Sequence, residues 1–131
     1  MAATEHKKTG RSKILIVEDH NGIRSSLRQW IGAVFQDHEI RDVSTGEDAV
    51  ELCKEIKPDV VVMDLKLPGI NGILATKQIK KILPDTKVIM LTIYDTPAFQ
   101  SSALEAGASA FLSKNDMYKE LIPTIQRLMA S

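Results

Sequence analysis

A small set of polar residues stands where chemistry is expected, each directly after a short apolar run. Glu18 and Asp19 follow Ile14-Leu15-Ile16-Val17, and Asp64 follows Val60-Val61-Val62-Met63. Thr92 follows Val88-Ile89-Met90-Leu91, while Ser113 and Lys114 follow Ala110-Phe111-Leu112. Carboxylates brought together repel one another and invite a hard cation. Mg²⁺ suits them, because it takes oxygen ligands in octahedral geometry and keeps several waters. A carboxylate is also a nucleophile toward phosphorus, giving an aspartyl phosphate. Phosphoryl transfer requires charge neutralisation on the equatorial oxygens more than it requires covalent help. Mg²⁺, the Lys114 ammonium and the Thr92 hydroxyl are suited to that task. Asp64 is the best nucleophile candidate: it ends the central run and opens a segment, Leu65 to Gly72, whose glycines permit close backbone approach.

These residues converge only if the runs lie side by side. Runs that are apolar at every position and mostly β-branched read as strands buried on both faces, as in a parallel sheet covered by helices. Glu39 to Val43 is less apolar and suits an edge strand. Between the runs, apolar residues recur at three- and four-residue steps. Ile23, Leu27, Trp30, Ile31 and Val34 form one stripe, and Ala49, Val50, Leu52, Cys53 and Ile56 a second, before Pro58. Ile73, Leu74, Ile79 and Ile82 form a third, stopped by Pro84. Pro97 to Ala106 is poorer in apolar residues, with Gly107 as a natural C-terminal cap. Leu121, Ile122, Ile125, Leu128 and Met129 give the last helix, where Pro123 is tolerable only within the first turn. Strand and helix thus alternate five times over about 120 residues, which predicts one doubly wound α/β domain. In such sheets ligands bind beyond the carboxyl ends of the strands, which is where the polar residues gather.

Composition narrows the function classes. The chain has 131 residues and a hydrophobic fraction of 44%, enough for one ordinary core. Lys+Arg and Asp+Glu number 17 each, so a formal net charge of zero argues against a nucleic-acid surface or a membrane-binding face. Cys53 is the single cysteine and forms no internal disulfide, which fits a reducing cytoplasm. No apolar run approaches the roughly 20 residues of a transmembrane helix. Met1 to Ser12 is polar and lacks the apolar core of a signal peptide, so residues 1–12 are expected to be a flexible leader and 13–131 the domain.

Taken singly, each site residue has a plainer reading. Glu18 and Asp19 could be solvated loop acids, with Asp19 or Asn21 capping the first helix. Asp64 could be a turn residue ahead of Pro68-Gly69, Thr92 a strand-end hydroxyl bonded to local backbone, and Lys114 a surface charge. Their joint placement on one sheet edge favours a site. His6, His20 and His38 are too scattered for a metal triad or a catalytic pair. Cys53 and Trp30 are expected in the core, with partner binding a second role for Trp30. Tyr94 either flanks the site or covers the end of the fourth strand.

With these motifs in place the sequence resembles the receiver (CheY-like) family. The matching segments are Ile14-Leu15-Ile16-Val17-Glu18-Asp19, Val62-Met63-Asp64 through Lys66-Leu67-Pro68-Gly69-Ile70-Asn71-Gly72, Val88 to Thr92, Ala103 to Ala108, and Ala110-Phe111-Leu112-Ser113-Lys114. They span nearly the whole chain after Ser12. The resemblance implies a flavodoxin-like (βα)5 fold with a five-stranded parallel sheet in the order 2-1-3-4-5. It implies Asp64 as the phosphoacceptor and Glu18 and Asp19 as the acidic pair for Mg²⁺. It further implies the Lys66 backbone carbonyl as a metal ligand, Thr92 and Phe111 as switch residues, and Lys114 as the site lysine. No other cofactor is implied. The Leu-Thr-x-x-Asp stretch ending at Asp95, with Ala103 to Lys114, is similar to the subgroup that usually carries a C-terminal LuxR-type helix-turn-helix. Two positions depart from the pattern. Asn115 follows Lys114 where many relatives have a cis-proline, so a trans bond is expected. Ile93 follows Thr92 where several relatives have a small residue, which would narrow access to the phosphoryl site.

The expected function is therefore a cytoplasmic two-component switch. It would accept phosphate from a sensor histidine kinase, could form a homodimer on phosphorylation, and would touch DNA only through an output domain absent from this sequence. Its chemistry would be limited to Mg²⁺-dependent self-phosphorylation and autodephosphorylation, without a classical enzyme activity. A stand-alone regulator acting through protein contacts is the alternative. A dehalogenase-like phosphatase would want a second acid two residues after Asp64, where Lys66 stands. A nucleotide-binding module would want a glycine-rich loop after the first strand.

Overall fold

The computed structural model describes residues 11–130. Apart from Arg11 and Ser12, the expected leader lies outside the described residues. The elements are β1 (Lys13–Val17), α1 (Asn21–Val34), β2 (Glu39–Val43), α2 (Gly46–Ile56), β3 (Val60–Met63), α3 (Gly72–Ile82), β4 (Lys87–Thr92), α4 (Pro97–Glu105), β5 (Ala110–Ser113) and α5 (Met117–Ala130). A short 3₁₀ turn, Lys114–Asp116, leads into α5. All strand pairings are parallel, in the order β2-β1-β3-β4-β5. This is the doubly wound sheet the alternation predicts.

The continuous apolar runs are continuous because both sheet faces are covered. Side chains alternate across a strand. Leu15, Val17, Val61, Met63, Val88 and Met90 therefore pack with residues of α2, α3 and α4. Ile14, Ile16, Val60, Val62, Ile89 and Leu91 pack with residues of α1 and α5. β2 is half-buried along its whole length, as an edge strand should be. The thiol of Cys53 is fully buried and burial pushes it up to about 12, so it is an inert core group. No helix among the described residues is long and apolar enough to cross a membrane.

Several local expectations are corrected. α1 is capped by neither Asp19 nor Asn21: the His20 imidazole Nδ1 accepts the Ile23 N–H at 3.2 Å. Val34 is exposed, and Phe35, just beyond the helix, turns inward in its place. In α3 the buried positions are Gly72, Ala75, Thr76 and Ile79, while Leu74 and Ile82 face solvent. The helix approaches the sheet so closely at its start that only small residues fit there. α5 begins at Met117, so Pro123 lies in its interior and not in its first turn. Pro123 is exposed, which leaves the carbonyl it cannot serve on the wet side of the helix. The Lys114–Asn115 bond is trans, as expected, because no cis peptide occurs among the described residues.

Gly107 caps α4 as the sequence indicates. Its φ is +110°, its N–H donates to Leu104 O at 3.0 Å, and the next N–H, of Ala108, reaches back to Ala103 O at 3.0 Å. That is the paired pattern of a left-handed C-terminal cap.

Candidate functional site

The parallel ladder carries the site acids past the ends of their strands. Val17 lies level with Met63, and Met63 with Met90. The Asp64 N–H donates to Val17 O at 3.0 Å, and the Glu18 N–H to Val43 O at 3.1 Å. Both acids are thus held on a rigid sheet edge. Both are buried, at 8% and 2% exposure, whereas Asp19 is exposed at the rim. One carboxylate oxygen from each of Glu18, Asp19 and Asp64 lies within 4.8 Å of the others.

Lys114 reaches this cluster from the end of β5. Its Nζ donates to Glu18 Oε1 at 2.8 Å and to Asp64 Oδ2 at 3.0 Å. Burial pulls the ammonium pKa down, but the hydrogen bonds to Glu18 and Asp64, together with their charge, more than offset this and hold it above its ordinary value. The lysine therefore stays protonated beside the acids. Three carboxylates against one ammonium leave an excess of negative charge. The donor set, all hard anionic oxygen, fits a hard divalent cation. Glu18 is the least available of the three for direct ligation, because its other oxygen, Oε2, accepts the His20 N–H at 3.0 Å.

The loop between β3 and α3 carries Asp64. It folds back on itself through a 2.7 Å bond from the Gly72 N–H to Leu65 O. A Cβ at Gly72 would lie 2.0 Å from Asp64 O, so only glycine lets α3 start beneath the acid. Lys66, in the same loop, has an exposed side chain whose ammonium lies 5.5 Å over the Tyr94 ring. Tyr94 in turn meets Phe99 edge-on, with ring centroids 6.5 Å apart. Tyr94 thus flanks the site.

Thr92 is fully buried, and its Oγ1 accepts the Tyr94 N–H at 3.1 Å, the local bond of the plainer reading. Phe111 lies level with Met90, and Ser113 with Thr92. Thr92 and Phe111 therefore share one face of adjoining strands, diagonal to one another. Phe111 is partly buried against the cluster under α2, α3 and α4. Glu18, Asp19, Asp64, Thr92 and Lys114 thus lie at this sheet edge and Lys66 in the loop leaving β3, while Phe111 stands two residues back along β5.

Two supports escaped the sequence. His20 holds Glu18 from its backbone while capping α1. Arg24 spreads its guanidinium across three elements: Nη1 donates to Glu18 O at 3.0 Å, Nε to Asp42 Oδ2 at 2.9 Å and Nη2 to Asn21 Oδ1 at 2.8 Å. Arg28 also pairs with Asp42. A fork of donors at one end of the acid-bearing strand needs a guanidinium, and the only sequence signal was an arginine one turn into α1.

Comparison with known proteins agrees with this geometry. Residues 14–126 match the model of the response regulator receiver domain. Response regulator GacA of Pseudomonas aeruginosa is 32% identical over 118 residues, which cover 90% of this chain and 55% of that protein. Response regulator UvrY of Escherichia coli is 34% identical over 113 residues, covering 86% of this chain and 52% of that protein. The chain spans about half the length of these curated relatives. Among solved structures, a LuxR-family two-component response regulator from Aurantimonas superposes with a TM-score of 0.85 at 32% identity, covering 92% of this chain and 86% of that one. A LuxR-family DNA-binding response regulator from Staphylococcus aureus gives 0.82 at 31%, covering 90% and 98%. With the strand order, the acid cluster and the matched span all in agreement, the chain belongs to the response regulator receiver domain family.

Proposed function

We propose that Asp64 accepts a phosphoryl group and that the domain relays it as a change of shape. The observation that carries this reading is Lys114, whose ammonium bridges Asp64 and Glu18 within an acidic cluster at the carboxyl ends of the strands. Receiver domains work with histidine kinases in general, and the phosphodonor here is a kinase phosphohistidine. In the transfer an Asp64 carboxylate oxygen attacks phosphorus, the P–N bond breaks, and the imidazole leaves with the bonding electron pair. Lys114 is placed to follow the new charge from the carboxylate to the phosphoryl oxygens. Asp19 and Asp64 would hold Mg²⁺ directly, with Glu18 acting through water and the Lys66 carbonyl as a further ligand. When bound, the cation neutralises charge on the transferring group. Thr92 would turn its hydroxyl toward the phosphoryl group and leave space into which Phe111 moves, a two-state element biased by one new charge.

Some relatives named above are LuxR-family regulators, one of them DNA-binding, so the output of this receiver is control of transcription. The test uses Mg²⁺ and acetyl phosphate with intact-protein mass spectrometry. The wild type gains one phosphoryl group and Asp64→Asn gains none. Equal labelling of the variant overturns the assignment.

A further inference from the structure

The first turn of α2 presses on the Asp64 loop at two points. The Glu47 carboxylate Oε2 accepts the Ile70 N–H at 3.0 Å. Gly69 sits at φ +75°, and a Cβ there would fall 2.3, 2.7 and 2.8 Å from Oε2, Oε1 and Cδ of that same carboxylate. At the second point a Cβ on Gly46 would fall 2.7 Å from Ile70 Cγ1 and 3.0 Å from Ile70 O. Helix and loop therefore meet backbone to backbone, with glycines on both sides and one carboxylate between them.

Glu47 is free for this because its own helix does not need it. The Thr45 hydroxyl caps α2 by accepting the Asp48 N–H at 3.0 Å. The α2 dipole favours an acid in this turn. Pro68 and Gly69 are the central pair a type II turn requires, and Glu47 grips the residue that follows them. The root of the loop is closed by Gly72 N–H to Leu65 O. Lys66 lies between these two anchors.

We infer that Glu47 is a positioning residue of the cation site: by clamping Ile70 it fixes the path of the loop and hence where the Lys66 carbonyl points. The inference rests on reading the acid cluster as a Mg²⁺ site. Neighbours that orient metal ligands typically change metal affinity about 10- to 100-fold when removed. Glu47 is exposed, which places its effect at the lower end.

The test measures Mg²⁺ affinity by calorimetry and amide exchange by NMR in four proteins. Glu47→Ala should raise the Mg²⁺ Kd about tenfold and speed exchange of the Ile70 amide by a similar factor. Glu47→Gln keeps an acceptor for Ile70 and should stay within about twofold of wild type in Kd. Asp48→Ala removes the other first-turn acid and should leave both readouts unchanged. An equal loss of affinity in Asp48→Ala, or in Glu47→Gln, overturns the clamp in favour of a general field effect. Ile70 exchange at the wild-type rate in Glu47→Ala overturns it independently of any metal. A wild type that takes no Mg²⁺ overturns the cation-site reading, and with it the positioning role, while Ile70 exchange still decides whether the clamp exists.

Discussion

α4 and α5 lie on opposite faces of the sheet and are anchored very unequally. α5 buries Leu121, Thr124, Ile125 and Leu128, of which Leu121 and Ile125 are fully enclosed. α4 buries Ala103 alone, and its larger apolar residues, Phe99 and Leu104, are exposed. Its N-terminal end is tied down by surface contacts, from Lys66 over Tyr94 and from Tyr94 to the edge of Phe99. The helix that follows Thr92 is thus the one held by the least apolar surface. Elements with few buried contacts open at low free energy, and moving parts are drawn from that group. For the proposed switch, this leaves the chemistry on the rigid sheet and the compliance in one helix.

The contrast can be broken most directly by stability. Leu121→Ala should cost about 3 kcal/mol, in the range for large-to-small changes at enclosed positions. Leu104→Ala should stay within about 0.5 kcal/mol of wild type. Urea melts of the two variants decide it, and equal losses would show that α4 is as firmly held as α5. Hydrogen exchange sharpens the same point without mutation. The amides of the middle turn of α4 should exchange on the order of 100-fold faster than those around Ile125, as expected of a locally opening unit. Comparable protection would mean that the surface contacts hold α4 as well as a core does. The smallest effect is a loss of coupling. Thr92→Ala should still label on Asp64 but show less than about half of the wild-type NMR shifts at Phe111 and along Ser102 to Gly107 when beryllofluoride is added, because the biased element has lost its donor. Full shifts in the variant would remove Thr92 from the path between site and helix.

Much of this architecture is legible in the residues. The strands declare themselves because runs such as Val60-Val61-Val62-Met63 leave no polar face, and only a sheet covered on both sides accepts them. The site declares itself because each polar residue sits at the same end of its run. Helix faces were harder to read. In α3 the apolar pattern points to Leu74 and Ile82, yet Ala75 and Thr76 are inside, since Gly72 brings the helix onto the Asp64 backbone and the space left is small. The start of α5 was hidden because Pro123 suggests a boundary, whereas an exposed proline sits within the helix. The supports of the site were invisible for a related reason. His20 and Arg24 act through single hydrogen bonds between a side chain and a backbone group, and a periodicity carries no trace of such contacts.

The Lys114 bridge spans 96 residues to Glu18 and 50 to Asp64. Polypeptides are made from the N-terminus, so the acids of β1 and β3 are complete well before β5 exists. A sheet assembled without β5 would hold three carboxylates at one edge without the Lys114 ammonium that bridges two of them, and it would lack the strand that carries Phe111. The cluster is therefore balanced only when the β5 edge docks beside β4, so the charge balance of the site depends on the whole sheet being assembled.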